Sequence, residues 1–579
     1  MSEPCEKRAK TSEEAVELVE ELVEELVEED ESVQYVPHPL GIVSSMMASL
    51  GSGTVVERSS LGSLFAVLPD EVVLEVLSQL DAPSLAAFAC CSRLCYVFAS
   101  TDELWKQLVL QAVQADNMHG KWEYSGTWKR TYAQLATTRR SNHTQDGTSS
   151  TQTTEPPASS NTVASGAPVA SMSSATTATT AATATTETTA TQQHQLFGLQ
   201  FGMVPSDTLF EAWLSVTAKI QPHWLVHDNI PRRDAASLSA REFDEQYEQR
   251  RQPVVIRGAA AEWPAFRRWT RVSIASQFRR PTSSDAGHGD HGSSSAGESE
   301  EQLFDAFDEY SGSHRMTMGQ YMAYARQQQD ERPLYVFEPR YIEENSTLAH
   351  AYTTPPHFQH DLMSHLGTAR PDWRWLLAGP ARTGTNFHVD PNHTSAWNTV
   401  VYGRKKWVMF PPHVAPPGVC VCPETGRVEQ PDSVMAWFLQ YYDDIHADPR
   451  LRRHVRECVC GPGDTVFIPD GWWHLVLNTE ETVAITHNYI GPANLHRCLS
   501  FLDTGVPRHM THAGPSDLAS RFRAALQQHA PDVLARAEQR LQQQRCGNGS
   551  GDAVETASCL ADGPKPASSV HAFSFNFAT

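Results

Sequence analysis

After Trp373 the chain breaks into short apolar runs separated by Gly/Pro turns, about every 8–12 residues. The stretches SAWNTVVYGRKKWVMFPP and GDTVFIPDGWWHLVLNTEETVAIT show the pattern at its densest. Each run is long enough for a strand and too short for a helix, so a β-barrel or sandwich is expected. Upstream, SLSAREFDEQYEQRR predicts a helix, Val254–Arg257 a strand, MGQYMAYARQQQ a helix and PLYVFE a further strand. The C-terminal half therefore reads as an all-β unit with flanking helices.

The remaining sequence divides around that unit. Residues 1–60 read as an acidic, disordered arm: Glu13–Glu31 holds eleven acids and no bases, half of the net charge of −22. Leu18, Leu22 and Leu26 recur there at helical spacing, yet the glutamates repel one another without lysine partners. The segment is either a fraying helix or a docking helix for a basic partner. Residues 61–136 form a small helical module and its extension, and 137–195 a Ser/Thr/Ala-rich linker too polar to fold alone. Residues 196–500 form the β-rich domain, with a low-complexity insert at about 280–302. A helical region follows over 501–546, with Arg521–Gln544 as one polar helix, and then a disordered tail over 547–579. No run of eighteen apolar residues exists, so no transmembrane helix is expected, and the N-terminus has no secretory signal. Eleven cysteines in such a chain read as free thiols in a reducing compartment. The acidic balance argues against direct nucleic-acid binding.

In the helical module, Leu68, Val72, Val73, Val76, Leu77 and Leu80 follow helical spacing, and Pro69 suits a first helical turn. A three-helix unit is expected over Val67–Leu110. Leu68-Pro69-x-Glu71, then Leu80, Leu85, Cys91-Ser92-Arg93 and Leu104-Trp105-Lys106-x-Leu108 resemble an F-box, with Cys91 where a valine is usual. That resemblance implies binding of a Skp-type adaptor of a cullin ubiquitin ligase through residues 67–110. Trp122 and Trp128–Tyr132 are expected to pack as an extension of the module.

Chemistry concentrates in Thr385-Asn386-Phe387-His388-Val389-Asp390. On a strand, residues two apart share a face, so His388 and Asp390 point the same way. His474, at the end of GDTVFIPDGWWH, is the candidate third ligand. Two imidazoles and one carboxylate on one side of a metal leave positions open, as in non-haem Fe(II) oxygenases. Together these stretches resemble a JmjC domain, a double-stranded β-helix of the cupin class, over about residues 207–498. Within that family the similarity is greatest to phosphatidylserine-receptor-type bifunctional arginine demethylases and lysyl hydroxylases. The resemblance implies Fe(II) held by His388, Asp390 and His474, with 2-oxoglutarate as co-substrate and O2. It places 2-oxoglutarate contacts at Lys405, Thr486, Asn398, Thr385 and Tyr335. Lys405 shares a strand face with Trp407 and Met409, opposite Lys406, and a buried ammonium there needs a carboxylate partner.

The expected fold is thus a small all-α F-box module and an all-β double-stranded β-helix with flanking helices, joined by a disordered linker. The expected function is hydroxylation or N-demethylation of lysine or arginine side chains of a protein substrate, in the nucleus. The alternative is an inactive F-box adaptor whose barrel only binds a substrate. His487 either tunes substrate choice or simply packs, and His393 is expected to pack. His288 and His291 belong to the insert. Cys420-x-Cys422 and Cys458-x-Cys460 suit buried thiols better than zinc, whose usual knuckle spacing differs.

Overall fold

The computed structural model of the protein describes residues 36–50, 54–119, 121–146, 202–270, 273, 302–308, 312–341, 346–505 and 509–547. The Glu13–Glu31 run, most of the 137–195 linker, and nearly all of the insert and tail lie outside them.

The centre of the fold is two facing sheets. Strands are numbered in chain order: β1 (Ile42–Val43), β2 (Val204–Pro205), β3 (Arg232–Asp234), β4 (Val254–Arg257), β5 (Leu303–Asp308), β6 (Gly312–Thr317), β7 (Tyr335–Glu338), β8 (Arg374–Gly379) and β9 (Gly384–His388). They continue with β10 (Ser395–Tyr402), β11 (Lys405–Phe410), β12 (Cys420–Val421), β13 (Val428–Glu429), β14 (Arg456–Cys460), β15 (Asp464–Ile468), β16 (Trp473–Asn478) and β17 (Thr482–Tyr489). The larger sheet runs β3-β4-β15-β10-β17-β8-β7-β5-β6 and the smaller β14-β11-β16-β9. Successive strands alternate between the sheets from β8 to β11 and again from β14 to β17, which is how a double-stranded β-helix is wound. Inward residues Ala396, Val400, Trp407, Met409, Val466 and Val476 meet between the sheets. Outward residues Phe387, Val408, Phe410 and Leu475 of the smaller sheet pack on Met435, Trp437 and Phe438 of the Val434–Ala447 helix.

The N-terminal module holds helices Asp70–Ser78, Ala82–Ala89, Arg93–Ala99, Asp102–Ala115 and Trp128–Asp146. The expected three-helix unit is subdivided because Ser92 caps a new helix, its hydroxyl accepting from Cys95 N–H at 3.1 Å. Pro69 stands one residue ahead of the first helix, with extended ψ. Three further expectations need correction. Residues 36–50 and 54–60 do not belong to an acidic arm. Ile42, Val43 and Met47 are buried, because β1 finds a parallel partner in the distant β2. The Trp128–Asp146 helix runs ten residues into the expected linker, anchored by the buried Trp128 and Leu135 at its start. Finally, the expected Arg521–Gln544 helix is two helices, Leu518–His529 and Pro531–Gly547. Pro531 lacks the N–H that continuation requires. Both helices bury Leu518, Phe522, Leu526, Leu534 and Leu541 against Leu362, Leu366 and Leu495.

Module and barrel share one hydrophobic core, in which Leu85, Phe98, Trp105 and Trp128 join Tyr324, Phe304 and Leu376. At its heart lies Lys106, only 1% exposed and ion-paired with Asp308, which follows the insert. Lys106 also donates to the Arg332 carbonyl at 2.8 Å and lies 3.9 Å from Asp330. Asp330 in turn accepts from Trp128 Nε1 at 2.9 Å and Tyr324 OH at 2.6 Å. Removing one member of a buried ion pair leaves the other charge uncompensated. Lys106→Ala is therefore expected to destabilise the full chain by about 3–5 kcal/mol, read as a fall in the urea midpoint. A variant with an unchanged midpoint would show that module and barrel are not joined through this lysine.

Candidate active site

His388 ends β9 and His474 follows the first residue of β16, and the two are cross-strand partners. Simple alternation would send Thr385 and His388 to opposite faces. A bulge in β9 inserts one residue, so Thr385 pairs with the inward-facing Val476 and both residues face the barrel interior. The bulge residue Asn386 turns its carbonyl back to accept the His388 Nδ1–H at 2.8 Å. The His474 Nδ1–H donates likewise to the Trp472 carbonyl at 3.1 Å. A carbonyl can only accept, so both imidazoles carry the proton on Nδ1 and keep the Nε2 lone pair for the cavity. At Gly384 a Cβ would stand 1.8 Å from the Val476 carbonyl, so only glycine lets β9 approach β16 this closely.

Asp390 lies just past the end of β9, not on it, yet its carboxylate turns to the same side. One donor atom from each of His388, Asp390 and His474 lies within 4.8 Å of the others. Burial pushes His388 down to about 3, aided by His474, and His474 down to about 4, so both rings are neutral at physiological pH. Burial raises the Asp390 carboxyl while His388 and Asn488 oppose it, and its Oδ2 has no hydrogen-bond donor. Neutral imidazoles and a buried carboxylate with a free oxygen make a donor set for a divalent transition metal.

Deeper in the barrel, Lys405 is 1% exposed and donates to Tyr335 OH at 2.8 Å and Asn478 Oδ1 at 2.7 Å. Among the described residues no carboxylate lies against it. Burial pushes its ammonium down to about 7. The four residues from Lys405 to Met409, the partner of His474, span about 13 Å of strand, and the lysine side chain covers part of that gap. Asn398 and Thr486 are cross-strand partners on the facing sheet. Asn398 Oδ1 and Trp407 Nε1 are buried without hydrogen-bond partners, and the Thr486 hydroxyl donates to the Trp397 carbonyl at 3.0 Å. Trp407 also stacks on His474.

The structure thus brings the three metal-ligand candidates together, puts Tyr335 directly on Lys405, and turns Thr385, Asn398 and Thr486 inward. Two site residues escaped the sequence reading. Asn478 ends β16 just before a turn, and the β11–β16 register makes it the partner of Lys405. Asn488, two residues beyond Thr486 on the same face, touches Asp390 and donates to Thr394 Oγ1 at 3.0 Å. His487 faces outward: it is packed against Trp397 and Trp373, bonds Tyr352 OH at 2.8 Å, and lines a 420 Å³ cavity on the far side of the sheet. His393 lies 3.4 Å from Asp470, which His393 and Arg497 hold well below the carboxylate range against the effect of burial. Cys458 and Cys460 sit 3.6 Å apart inside the barrel, whereas Cys420 lies in the β12–β13 hairpin, so the pairs do not form one site.

A double-stranded β-helix with two imidazoles, one carboxylate and a buried lysine defines a metal-dependent cupin. Residues 239–493 match a cupin-like domain model and residues 65–111 an F-box-like model. The arginine-specific demethylase JMJ22 of Arabidopsis thaliana is 31% identical, over 84% of this chain and 80% of that protein. The bifunctional arginine demethylase and lysyl-hydroxylase psr-1 of Caenorhabditis elegans is 34% identical, over 49% of this chain and 67% of its own. The human 2-oxoglutarate and iron-dependent oxygenase JMJD4 is 33% identical over 26% of this chain and 35% of its own. The chain belongs to the JmjC family of cupin-like, 2-oxoglutarate- and iron-dependent oxygenases.

The residues present fit both groups. Asp390 Oδ2 lacks a donor, and the Lys405 ammonium lacks the anion that 2-oxoglutarate would bring. Lys405→Ala should weaken 2-oxoglutarate binding by about 2–5 kcal/mol, measured as Kd by calorimetry. The pH dependence follows from the sign of the shift. Above about pH 7 the free protein has lost the Lys405 proton, and an anionic ligand restores it. Binding at pH 8 should therefore take up protons, visible as different heats in buffers of different ionisation enthalpy. Equal heats would rule out a depressed Lys405 as the counter-charge.

Proposed function

We propose that this protein hydroxylates, or demethylates through hydroxylation of an N-methyl group, lysine or arginine side chains of a protein substrate. In this reading His388, Asp390 and His474 hold Fe(II), and Lys405, Tyr335, Asn398, Thr385 and Thr486 receive 2-oxoglutarate. One observation carries the reading: a two-histidine, one-carboxylate cluster and a buried, carboxylate-free ammonium share one barrel interior. When bound, iron and 2-oxoglutarate supply the oxidising chemistry, in which O2 is consumed, 2-oxoglutarate becomes succinate and CO2, and one oxygen atom enters the substrate. The chain's own residues prepare that chemistry. Asn386 and Trp472 carbonyls fix both imidazole tautomers. Asn488 steadies Asp390, and the Lys405 ammonium orients the distal carboxylate of the co-substrate. Trp407, Met409, Val466 and Val476 keep water from the interior. The substrate class rests on the activities named for JMJ22 and psr-1.

The F-box-like module supports a link to a Skp-type adaptor and a cullin ligase. Leu64 and Val67 are 69% and 78% exposed, and Val72 and Val76 are exposed on the helix that follows. Apolar side chains this open favour a protein partner.

Purified full chain given Fe(II), 2-oxoglutarate and methyl-arginine or lysine peptides should release succinate with a peptide product 16 Da heavier, or formaldehyde. Asp390→Ala should bring succinate to the no-enzyme level. No release above the no-enzyme level from the wild type would leave only the binding-module reading, and unchanged release from Asp390→Ala would remove Asp390 from the metal ligands. Val72→Asp with Val76→Asp should abolish adaptor capture while succinate release stays at the wild-type rate.

A further inference from the structure

A second group of metal-ligand side chains lies behind the barrel, on the outer face of β11 and β14. His227 is on the loop after the Pro222–Leu225 turn, His446 is in the last turn of the Val434–Ala447 helix, and Glu457 is on β14. One donor atom from each lies within 4.8 Å of the others. We propose that His227, His446 and Glu457 bind a divalent first-row cation, zinc being the natural candidate, as a structural brace separate from the catalytic cluster.

The two oxygens of Glu457 are used differently. Glu457 is fully buried, and its Oε2 takes Lys406 Nζ at 2.7 Å and Tyr442 OH at 2.9 Å. Its Oε1 has no aligned hydrogen-bond donor, and neither has His446 Nε2, although the two stand 3.1 Å apart. Two buried ligand atoms at that separation match the edge of a tetrahedron around zinc, for bonds of about 2.0–2.1 Å.

The third ligand comes from a loop that is already laced to the strand. Glu457 N–H donates to Asn229 Oδ1 at 2.8 Å, and the Glu457 carbonyl accepts from the N–H groups of Asn229 and Ile230. Lys406 Nζ also donates to the His227 carbonyl at 2.9 Å. The His227 and His446 rings stack face to face, with centroids 3.7 Å apart. Chelation therefore requires the exposed His227 ring to turn, bringing an edge nitrogen alongside the other two donors. Glu457 and His446 need no such movement. Lys406 does not forbid the ion, because the opposite carboxylate oxygen and the His227 carbonyl already hold its charge. Imidazoles and one carboxylate select zinc or a similar borderline cation over calcium or magnesium, which prefer all-oxygen cages. The exposed side of His227 leaves room for water at the fourth position. Such an ion would tie the His227 loop and the end of the Val434–Ala447 helix to the strands whose inner face carries Lys405.

Metal content decides the matter. Full chain is incubated with excess zinc chloride, desalted, and assayed for zinc by mass spectrometry. Wild type should hold two ions per chain, His227→Ala one, His388→Ala/His474→Ala one, and the triple variant none. Zinc should also raise the melting temperature of His388→Ala/His474→Ala but not of the triple variant. His227 is exposed, so its removal spares the fold, and His446→Ala gives an independent second loss. One ion in wild type, lost with the catalytic histidines, would overturn the proposal, as would a second ion that survives His227→Ala and His446→Ala. Neither result would touch the oxygenase reading, which rests on the other cluster.

Discussion

Everything in the barrel is arranged around an ammonium that the protein itself does not neutralise. Lys405 is enclosed by the strands of both sheets and meets only a phenol and an amide. Its neighbour Lys406 is equally buried but has Glu457 at 2.7 Å. One residue of register separates them, and the strand's alternation sends them to opposite sides of the sheet. The outer lysine is satisfied within the fold. The inner one is held in a state that an anionic guest relieves, and burying it in that condition is tolerable only because the surrounding sheets are densely packed.

The metal cluster depends on a smaller device. Without the bulge in β9, Thr385 and His388 would face opposite ways and the Asn386 carbonyl would join a ladder instead of fixing an imidazole. The same local irregularity therefore aims a ligand and sets its tautomer. Gly384 permits it by letting two strands come closer than any side chain would allow.

Much of this was legible beforehand, and for definable reasons. His388, Lys405 and His474 sit in dense, turn-bounded strands whose alternation predicts their faces. Asn478 and Asn488 were not, because an asparagine beside a turn reads as turn chemistry until the register is known. The bulge was invisible, since nothing in Thr385–His388 marks an extra residue. Local patterns also misplaced the boundaries. Ile42 and Val43 look like part of a polar arm, and their burial depends on a strand some 160 positions away, which no short window reveals. Pro531 was the opposite case, a breaker in plain view inside a helix drawn too long.

The seat of Lys106 has a consequence for geometry at larger scale. A module tethered only by the long polar segment before residue 202 would wander, and whatever it carried would sample many orientations. Here the module shares its core with the oxygenase and is tied to it by a desolvated ion pair. The module face that exposes Val72 and Val76 is consequently held in one placement relative to the barrel. Any machinery gripping that face would meet a client engaged at the barrel from a single, built-in direction.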